Sequence, residues 1–219
     1  GCDRIVVLPD RGREEPVGRG VGRHEQFVTI PSGVRLAALR SAMPRRAVAR
    51  RAAGLPRDAY VVGCVARLAP VKGHAVLLRA MASLCARFPE LRLLLVGDGE
   101  ERLALQARAR RPDLCGRVIF TGAGADVRTS LAAMDLFVMP SLNEGQGRAV
   151  VEAMAAGVPV VASRVGGLSE VLDHSRAGRL VSPGDSIDLA GAIEELITAP
   201  QTAAALAEAG RRRAARYDE

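Results

Sequence analysis

The amino-acid sequence predicts an α/β fold with a doubly wound parallel β-sheet and helices on both faces. The first observation is a series of short aliphatic runs. Most are continuously apolar, as strands buried on both faces of a sheet must be. The runs are "YVVGCVA" (60–66), "LRLLLVG" (91–97), "RVIFTG" (117–122), "DLFVMPS" (135–141), "VPVVAS" (158–163) and "AGRLVS" (177–182).

The second observation is helical periodicity between these runs, where apolar residues recur at steps of three and four. The helical stretches are "GHAVLLRAMASLCARF" (73–88), "EERLALQARAR" (100–110), "DVRTSLAAM" (126–134) and "GRAVVEAMAA" (147–156), followed by helices at about 185–198 and 201–216. Because strands alternate with helices, the connections should be right-handed crossovers and the sheet should be parallel.

The beginning of the chain has a different character. "DRIVVLP" (3–9) resembles a strand, and a polar, glycine-rich stretch follows before "FVTIPSGV" (27–34) resumes strand character. We expect residues 1–27 to be the remnant of a neighbouring N-terminal domain and a linker, and residues 28–219 to form one compact domain.

Composition supports a globular domain, because 48% of the residues are hydrophobic. The formal net charge of +7 could indicate a nucleic-acid-binding protein, which would bind DNA or RNA in a salt-sensitive way. The arginines are scattered, however, and aromatic residues make up 3% of the chain, whereas single-strand binders stack bases on aromatic side chains. Nucleic-acid binding is therefore the less favoured alternative.

The four cysteines, Cys2, Cys64, Cys85 and Cys115, lie far apart without a CxxC pair. Neither a zinc site nor a disulfide framework is expected, and Cys64 and Cys85 should be small core residues. The sequence does not open with a signal peptide, and no apolar run reaches the roughly 18 residues of a membrane span. We therefore expect a cytoplasmic protein.

Arg67 and Lys72 stand directly after the first long aliphatic run and ahead of a predicted helix. Lys72 is the only lysine in the sequence. Ligands of doubly wound sheets bind where strands lead into helices, and a helix N-terminus repels cations. Two cations there, with no acid nearby in the sequence, favour an anion such as phosphate. The alternative is a pair of solvated surface charges.

The stretch "NEGQGRAVVEAMAAG" (143–157) carries a second candidate site. Glu144 stands in a loop beside Gly145 and Gly147, which allow a ligand to approach the backbone. Glu152 is the one polar residue of "AVVEAMAA", and a buried carboxylate requires a partner. A sugar or ribose diol would donate two hydrogen bonds to it. The alternative is a structural ion pair with an arginine.

Other stretches carry weaker signals. Neither "VGDGEER" (96–102) nor "FTGAGADV" (120–127) completes a GxGxxG motif, so an NAD site is not expected. His24, His74 and His174 have no companions at metal-ligand spacing and are expected to be solvated or loop residues.

Taken together, these stretches resemble the C-terminal domain of GT-B glycosyltransferases, most closely the retaining family 4 (group 1) enzymes. The resemblance runs from about residue 27 to the end, and the spacing of Glu144 and Glu152 reproduces that family's Glu-x7-Glu motif. The other matching segments are "IPSGV", "VARLAPVKGH", "LLLVGDGEE", "VIFTG", "MDLFVMPSLNEGQGRAVVEAMAAGVPVVAS" and "VGGLSEVL". The resemblance implies a Rossmann-like domain that forms one half of a GT-B fold.

The resemblance also implies a role for each matching residue. The domain would bind a nucleotide-diphosphate sugar, such as a UDP- or GDP-sugar, for transfer with retention. Arg67 and Lys72 match the basic pair that holds the diphosphate and stabilises the leaving group, and Glu144 matches the acid that faces the donor sugar. These three residues are the expected catalytic set. Glu152 matches the acid that holds the ribose.

The remaining expected donor contacts come from backbone. The segment Gly145, Gln146, Gly147, Arg148 and Ala149 would meet the sugar and phosphates, and Phe120 and Thr121 would border the base. No metal or cofactor is expected. An acceptor sugar or lipid would bind an N-terminal domain, and the longer enzyme could associate peripherally with the inner face of a membrane.

The sequence departs from the family where relatives read Asn-Gly-Val-Asp and this chain has Ser32-Gly33-Val34-Arg35. The departure concerns the interdomain hinge more than the donor site. We expect a fragment truncated at both ends, including the C-terminal crossing helix, and inactive alone. The alternative is a non-catalytic module that binds nucleotides or sugar phosphates.

Overall fold

A computed structural model describes residues 3–7, 17–18, 20–30, 32–41 and 44–219 of the chain. The strands in these residues are β1 (Ile5–Val7), β2 (Phe27–Thr29), β3 (Tyr60–Val65), β4 (Leu91–Val96), β5 (Val118–Gly122), β6 (Leu136–Met139), β7 (Val160–Ser163) and β8 (Arg179–Val181). All six strands expected from the aliphatic runs are present as β3 to β8.

Strands β3 to β8 form one parallel sheet with the order β5-β4-β3-β6-β7-β8. The chain builds β3, β4 and β5 outward in one direction and then returns to place β6 beside β3. It continues through β7 and β8 on the other side. The predicted doubly wound sheet is confirmed, and its topological switch point lies between β3 and β6, where such folds bind ligands.

The helices are α1 (Leu36–Ser41), α2 (Arg46–Ala52), α3 (His74–Cys85), α4 (Arg102–Ala109), α5 (Val127–Ala133), α6 (Arg148–Ala155), α7 (Leu168–Val171), α8 (Ser186–Thr198) and α9 (Pro200–Ala214). The predicted helical stretches correspond to α3 to α6, α8 and α9. Helices α1, α2 and α7 were not predicted, since each is short. Across the described residues, no helix combines the length and apolar character needed to cross a membrane.

Two apolar clusters cover the two faces of the sheet. Successive strand residues point to opposite faces, so Val61 belongs to one cluster and Val62 to the other. Helices α1, α2, α5, α6 and α7 contribute to the first cluster, and α3, α4 and α8 contribute to the second. Cys64 and Cys85 are buried in the second cluster, which confirms their predicted place in the core.

The amino-terminal part forms a separate two-stranded sheet, in which β1 and β2 are parallel and Ile5 lies opposite Phe27. Strand β2 begins at Phe27 and ends at Thr29, so it spans the domain boundary expected after residue 27. The position of that boundary stays a prediction. The chain then meets the large domain beside residues 217–218. The Val34 amide donates to the Tyr217 carbonyl at 2.8 Å, and the Leu36 amide donates to Asp218 Oδ1 at 3.1 Å.

Asp135 joins the amino ends of β3 and β6 to helix α2. Its Oδ2 atom accepts from the Val61 amide at 2.7 Å and from Arg50 Nη2 at 2.5 Å, and Arg46 contacts its Oδ1 atom. The side chains of Arg50 and Asp135 are 8% and 17% exposed, while that of Arg46 is 51% exposed. Arg50 is therefore a buried cation whose charge is compensated by Asp135.

Asp135→Ala should lower the free energy of unfolding by about 3 kcal/mol, because it leaves the Arg50 guanidinium buried without its charge partner. Arg46→Ala is the matched control. It removes an exposed contact to the same carboxylate and should cost less than about 1 kcal/mol. Urea unfolding of the three proteins measures both values. Equal losses of unfolding free energy in the two variants would contradict the role of Asp135 as the charge partner of buried Arg50.

Candidate functional site

Two loops leave the sheet at the switch point. Residues 66–73 connect β3 to α3, and residues 140–147 connect β6 to α6. The Leu142 amide donates to the Val71 carbonyl at 2.8 Å, so the two loops are joined through backbone. Side chains that follow β3 and β6 are therefore brought together although about 70 residues of chain separate them.

Glycines precede both helices. Gly73 and Gly147 have φ angles of +69° and +74°, and each stands immediately before the first residue of its helix. A Cβ atom at Gly73 would lie 2.0 Å from the Pro140 carbonyl oxygen, so only glycine permits this approach of the loops. Neither helix has a side-chain cap or an acid in its first turn. Two helix N-termini that favour anions thus face the switch point.

Lys72 and Glu144 form an ion pair across the switch point. Lys72 Nζ lies 2.7 Å from Glu144 Oε2, and the Ser141 hydroxyl donates to the same oxygen at 3.2 Å. The Lys72 and Glu144 side chains are 24% and 13% exposed, so the pair is largely sheltered while part of it faces solvent. The predicted cation and the first motif acid are therefore in direct contact.

Arg67 has a different partner. Its Nη2 atom lies 2.9 Å from Glu100 Oε1, and both side chains are well exposed. The expectation that Arg67 and Lys72 have no acid near them was wrong, because each pairs with an acid distant in sequence. The loop after β4 carries Glu100 to this place: the Leu68 amide donates to the Asp98 carbonyl at 2.9 Å.

Glu152 lies on α6, one turn from its start, and its side chain is half-buried. Among the described residues its carboxylate has no hydrogen bond or ion-pair partner. The expected alternative of a structural ion pair with an arginine is therefore not observed. Burial raises the pKa of the Glu152 carboxyl above its ordinary value, and the Arg148 charge opposes that rise.

The segment from Gly145 to Ala149 has mixed surroundings. Gly145 is exposed, and a Cβ atom built on it would have no neighbour within 4 Å. Arg148 is exposed and Ala149 is half-buried. The Gln146 side chain is buried and holds the Ser32 backbone through two hydrogen bonds. Open space above Gly145 suits an approaching ligand, whereas the Gln146 side chain points to the protein.

Phe120 and Thr121 lie on β5, at the edge of the sheet, and β4 separates them from β3. Thr121 Oγ1 donates to the Leu95 carbonyl at 3.5 Å, and Phe120 packs against the second apolar cluster. Among the described residues, no hydrogen bond joins either side chain to Lys72 or Glu144. Their expected place beside a base stays a prediction.

The expectation that His74 is a solvated or loop residue was wrong, because His74 is a core residue with 1% exposure. It is the first residue of α3, and its Nε2 atom lies 3.8 Å from the buried Cys64 sulfur. Burial, and then the nearby Lys72 charge, lowers the pKa of His74 to about 4. Within the described part of the chain, no group of three or more His, Cys, Asp or Glu side chains could hold a metal ion.

A depression of about 440 Å³ lies at the opposite end of the strands, where Tyr60, Asp135 and Pro159 are among its lining residues. Its acid, Asp135, is already engaged by Arg46 and Arg50. The lining is otherwise mostly apolar. The Lys72–Glu144 pair, by contrast, lies beyond the carboxyl ends of β3 and β6.

The fold and these loops define the Rossmann-like C-terminal domain of a GT-B glycosyltransferase. Residues 46–213 match the family described as glycosyl transferases group 1, and the chain belongs to that family.

Among curated relatives, the chain is 34% identical to a D-inositol 3-phosphate glycosyltransferase of Saccharomonospora viridis, over 99% of this chain and 52% of the relative. It is 38% identical to D-inositol 3-phosphate glycosyltransferase 2 of Catenulispora acidiphila, over 99% of this chain and 53% of the relative. The chain therefore spans about half the length of these relatives.

Among solved structures, HepE of Anabaena in complex with UDP superimposes with a TM-score of 0.90 at 31% identity, over 99% of this chain and 60% of HepE. HepE has also been solved with UDP-glucose. The C-terminal domain of LpcC, a group 1 protein of Francisella tularensis, shares the fold with a TM-score of 0.75 at 24% identity. That match covers 84% of this chain and 97% of the domain.

The first prediction from the site concerns His74. Its pKa is about 4 in the folded protein and about 6.5 in the unfolded chain, so the unfolded state binds more protons between these values. Stability that is present above pH 6.5 should be lost as the pH falls towards 4. The loss should reach up to about 3 kcal/mol in wild type relative to His74→Leu. Chemical denaturation at several pH values measures this difference, and a pH-independent difference would contradict the assignment.

The second prediction concerns Glu152. Its pKa is raised in the folded state, so ionisation of the carboxylate opposes folding as the pH rises through its ordinary range and above. Glu152→Gln should therefore unfold at a higher temperature than wild type near neutral pH, and the gain should shrink at low pH. Thermal melts of the ligand-free proteins from acid to neutral pH test this. A variant that is less stable than wild type at neutral pH would show that the carboxylate has a structural partner.

Proposed function

We propose that this chain is the donor-binding domain of a retaining glycosyltransferase that uses a nucleotide-diphosphate sugar. The observation that carries the proposal is the Lys72–Glu144 contact at the switch point, placed between two helix N-termini that lack side-chain caps. The site offers a cation and helix amides to phosphates, and a carboxylate to hydroxyl groups. A nucleotide sugar has both kinds of group side by side.

Lys72 and Arg67 would act on the diphosphate. Lys72 is a compact charge on a flexible stem, and Arg67 offers a planar fork that suits two phosphate oxygens. Negative charge grows on the leaving nucleotide diphosphate as the glycosidic bond breaks. Fixed cations and helix dipoles stabilise that charge without reorganisation, which is often the largest contribution to catalysis.

The carboxylates would act on the sugars. Glu144 would accept hydrogen bonds from donor-sugar hydroxyls, with the backbone from Gly145 to Ala149 beside it. Glu152, which has no partner among the described residues, would accept two hydrogen bonds from the ribose hydroxyls. The backbone of Phe120 and Thr121 would border the base. We propose that this domain supplies its part of the chemistry without a metal or an organic cofactor.

The acceptor is proposed to bind elsewhere. The chain spans about half the length of its relatives, and a sugar or lipid acceptor would use the other half. We therefore expect this chain alone to bind the donor and to transfer negligible sugar. HepE has been solved with UDP-glucose, which makes that donor a suitable probe. A second probe is GDP-mannose, because one relative, from Corynebacterium glutamicum, is a GDP-mannose-dependent mannosyltransferase. Both donors belong in the test.

Calorimetric titration of UDP-glucose, GDP-mannose and pyrophosphate tests the donor site. Lys72→Ala should weaken nucleotide sugar and pyrophosphate alike, by at least about tenfold, because both ligands lose a charge-assisted contact. Arg79→Ala is the matched control, since it removes an exposed cation from the same helix α3 and should leave affinity unchanged. The proposal fails if folded wild-type protein binds none of these ligands.

Glu152 should recognise the ribose through hydrogen bonds to its hydroxyl groups. Wild-type protein should prefer UDP to 2′-deoxy-UDP, and Glu152→Ala should lose that preference while its affinity for pyrophosphate stays unchanged. The comparison isolates hydroxyl recognition from phosphate recognition because the two nucleotides differ by one hydroxyl. An unchanged preference in the variant would assign the ribose contact to another residue.

A further inference from the structure

Three consecutive residues of the loop after β6 are fastened to three different parts of the chain. Glu144 pairs with Lys72 from the loop after β3, and the Gly145 carbonyl accepts from the Gly167 amide at 2.8 Å, after β7. Gln146 holds Ser32, which lies between β2 and α1. The first two attachments lie within the carboxyl edge of the large sheet. The third reaches outside it.

Both polar atoms of the Gln146 side chain are used in this attachment. Its Oε1 atom accepts from the Ser32 amide at 2.5 Å, and its Nε2 atom donates to the Ser32 carbonyl at 2.7 Å. The residue as a whole is 5% exposed. At this burial, a nucleotide sugar could reach the side chain only if the loop moved and disturbed these bonds, and burial makes an unpaired amide costly. Direct contact between this side chain and a ligand is therefore disfavoured.

Ser32 belongs to the segment that connects the two-stranded sheet to the large domain. Two residues later, Val34 is fixed to Tyr217, and Leu36 is fixed to Asp218. Ser32 is thus the point at which the connecting segment touches the loop that carries Glu144. An amide side chain matches this point well, because it presents one acceptor and one donor to one backbone residue.

We propose that Gln146 is a positioning residue that couples the loop at 144–147 to the connecting segment at Ser32. The inference rests on the proposed donor function, since the loop is the one assigned to the donor. When a bound nucleotide sugar restricts the motion of the loop, the two hydrogen bonds from Gln146 restrict the motion of Ser32 as well. By reciprocity, fixing the connecting segment in the Gln146-bound position strengthens donor binding by the same factor.

Hydrogen exchange with mass spectrometry, on the chain with and without UDP-glucose and GDP-mannose, tests this coupling. In wild type, donor should slow exchange in residues 144–149 and also in residues 32–34. In Gln146→Leu, saturating donor should still protect 144–149 but no longer 32–34, and the dissociation constant should rise about tenfold. Gln201→Leu makes the same chemical change on the exposed first turn of α9 and should behave as wild type.

Gln146→Asn guards against a variant that does not fold. It keeps both the amide acceptor and the amide donor on a side chain one methylene shorter, so it should show a weaker loss of coupling than Gln146→Leu. Protection of residues 32–34 by donor in Gln146→Leu, equal to that in wild type, would overturn the proposal.

Failure of the donor function is separable from failure of the coupling. If wild type binds neither nucleotide sugar, the proposed function fails. Hydrogen exchange of the ligand-free proteins still tests whether Gln146 positions the loop. Exchange in residues 144–149 should be faster in Gln146→Leu than in wild type and Gln201→Leu, and equal rates in all three would overturn that role.

Discussion

The reversal of winding between β3 and β6 is the constraint on which the rest of the structure depends. It leaves a gap at the carboxyl ends of two neighbouring strands, and helices α3 and α6 both begin there. Gly73 allows the two loops to approach closely, and the Lys72–Glu144 ion pair spans them. A cation and an acid from distant parts of the chain are therefore presented together, with the positive ends of two helices behind them.

The structural ion pair of Asp135 and the charges of the proposed donor site lie at opposite ends of the strands. Asp135 compensates Arg50 at the amino ends of β3 and β6. At the carboxyl ends, Glu152 is left without a partner in the described residues although burial raises its pKa.

The sequence predicted the fold well, because the strands are continuous aliphatic runs and the long helices have clear periodicity. It also placed Lys72 and Glu144 in loops that follow strands, and the structure brings the two side chains into contact, while their roles stay predictions. It could not predict the Arg67–Glu100 pair or the attachment of Gln146 to Ser32, because these depend on how loops distant in sequence pack. His74 was expected to be a solvated or loop residue for the same reason: it lies against Cys64 of β3, and the local sequence does not indicate that contact.

The Lys72–Glu144 pair has a consequence for which ions can occupy the site. Lys72 already has a charge partner, so an incoming anion must compete with Glu144 for it and does not simply fill an open cationic patch. A small, weakly charged ion gains too little from that exchange of partners. A diphosphate carries enough charge, and its attached sugar offers hydroxyl groups to the released carboxylate. The pair would therefore favour ligands that carry a diphosphate over singly charged anions, and most of all a donor that adds hydroxyl groups to the diphosphate.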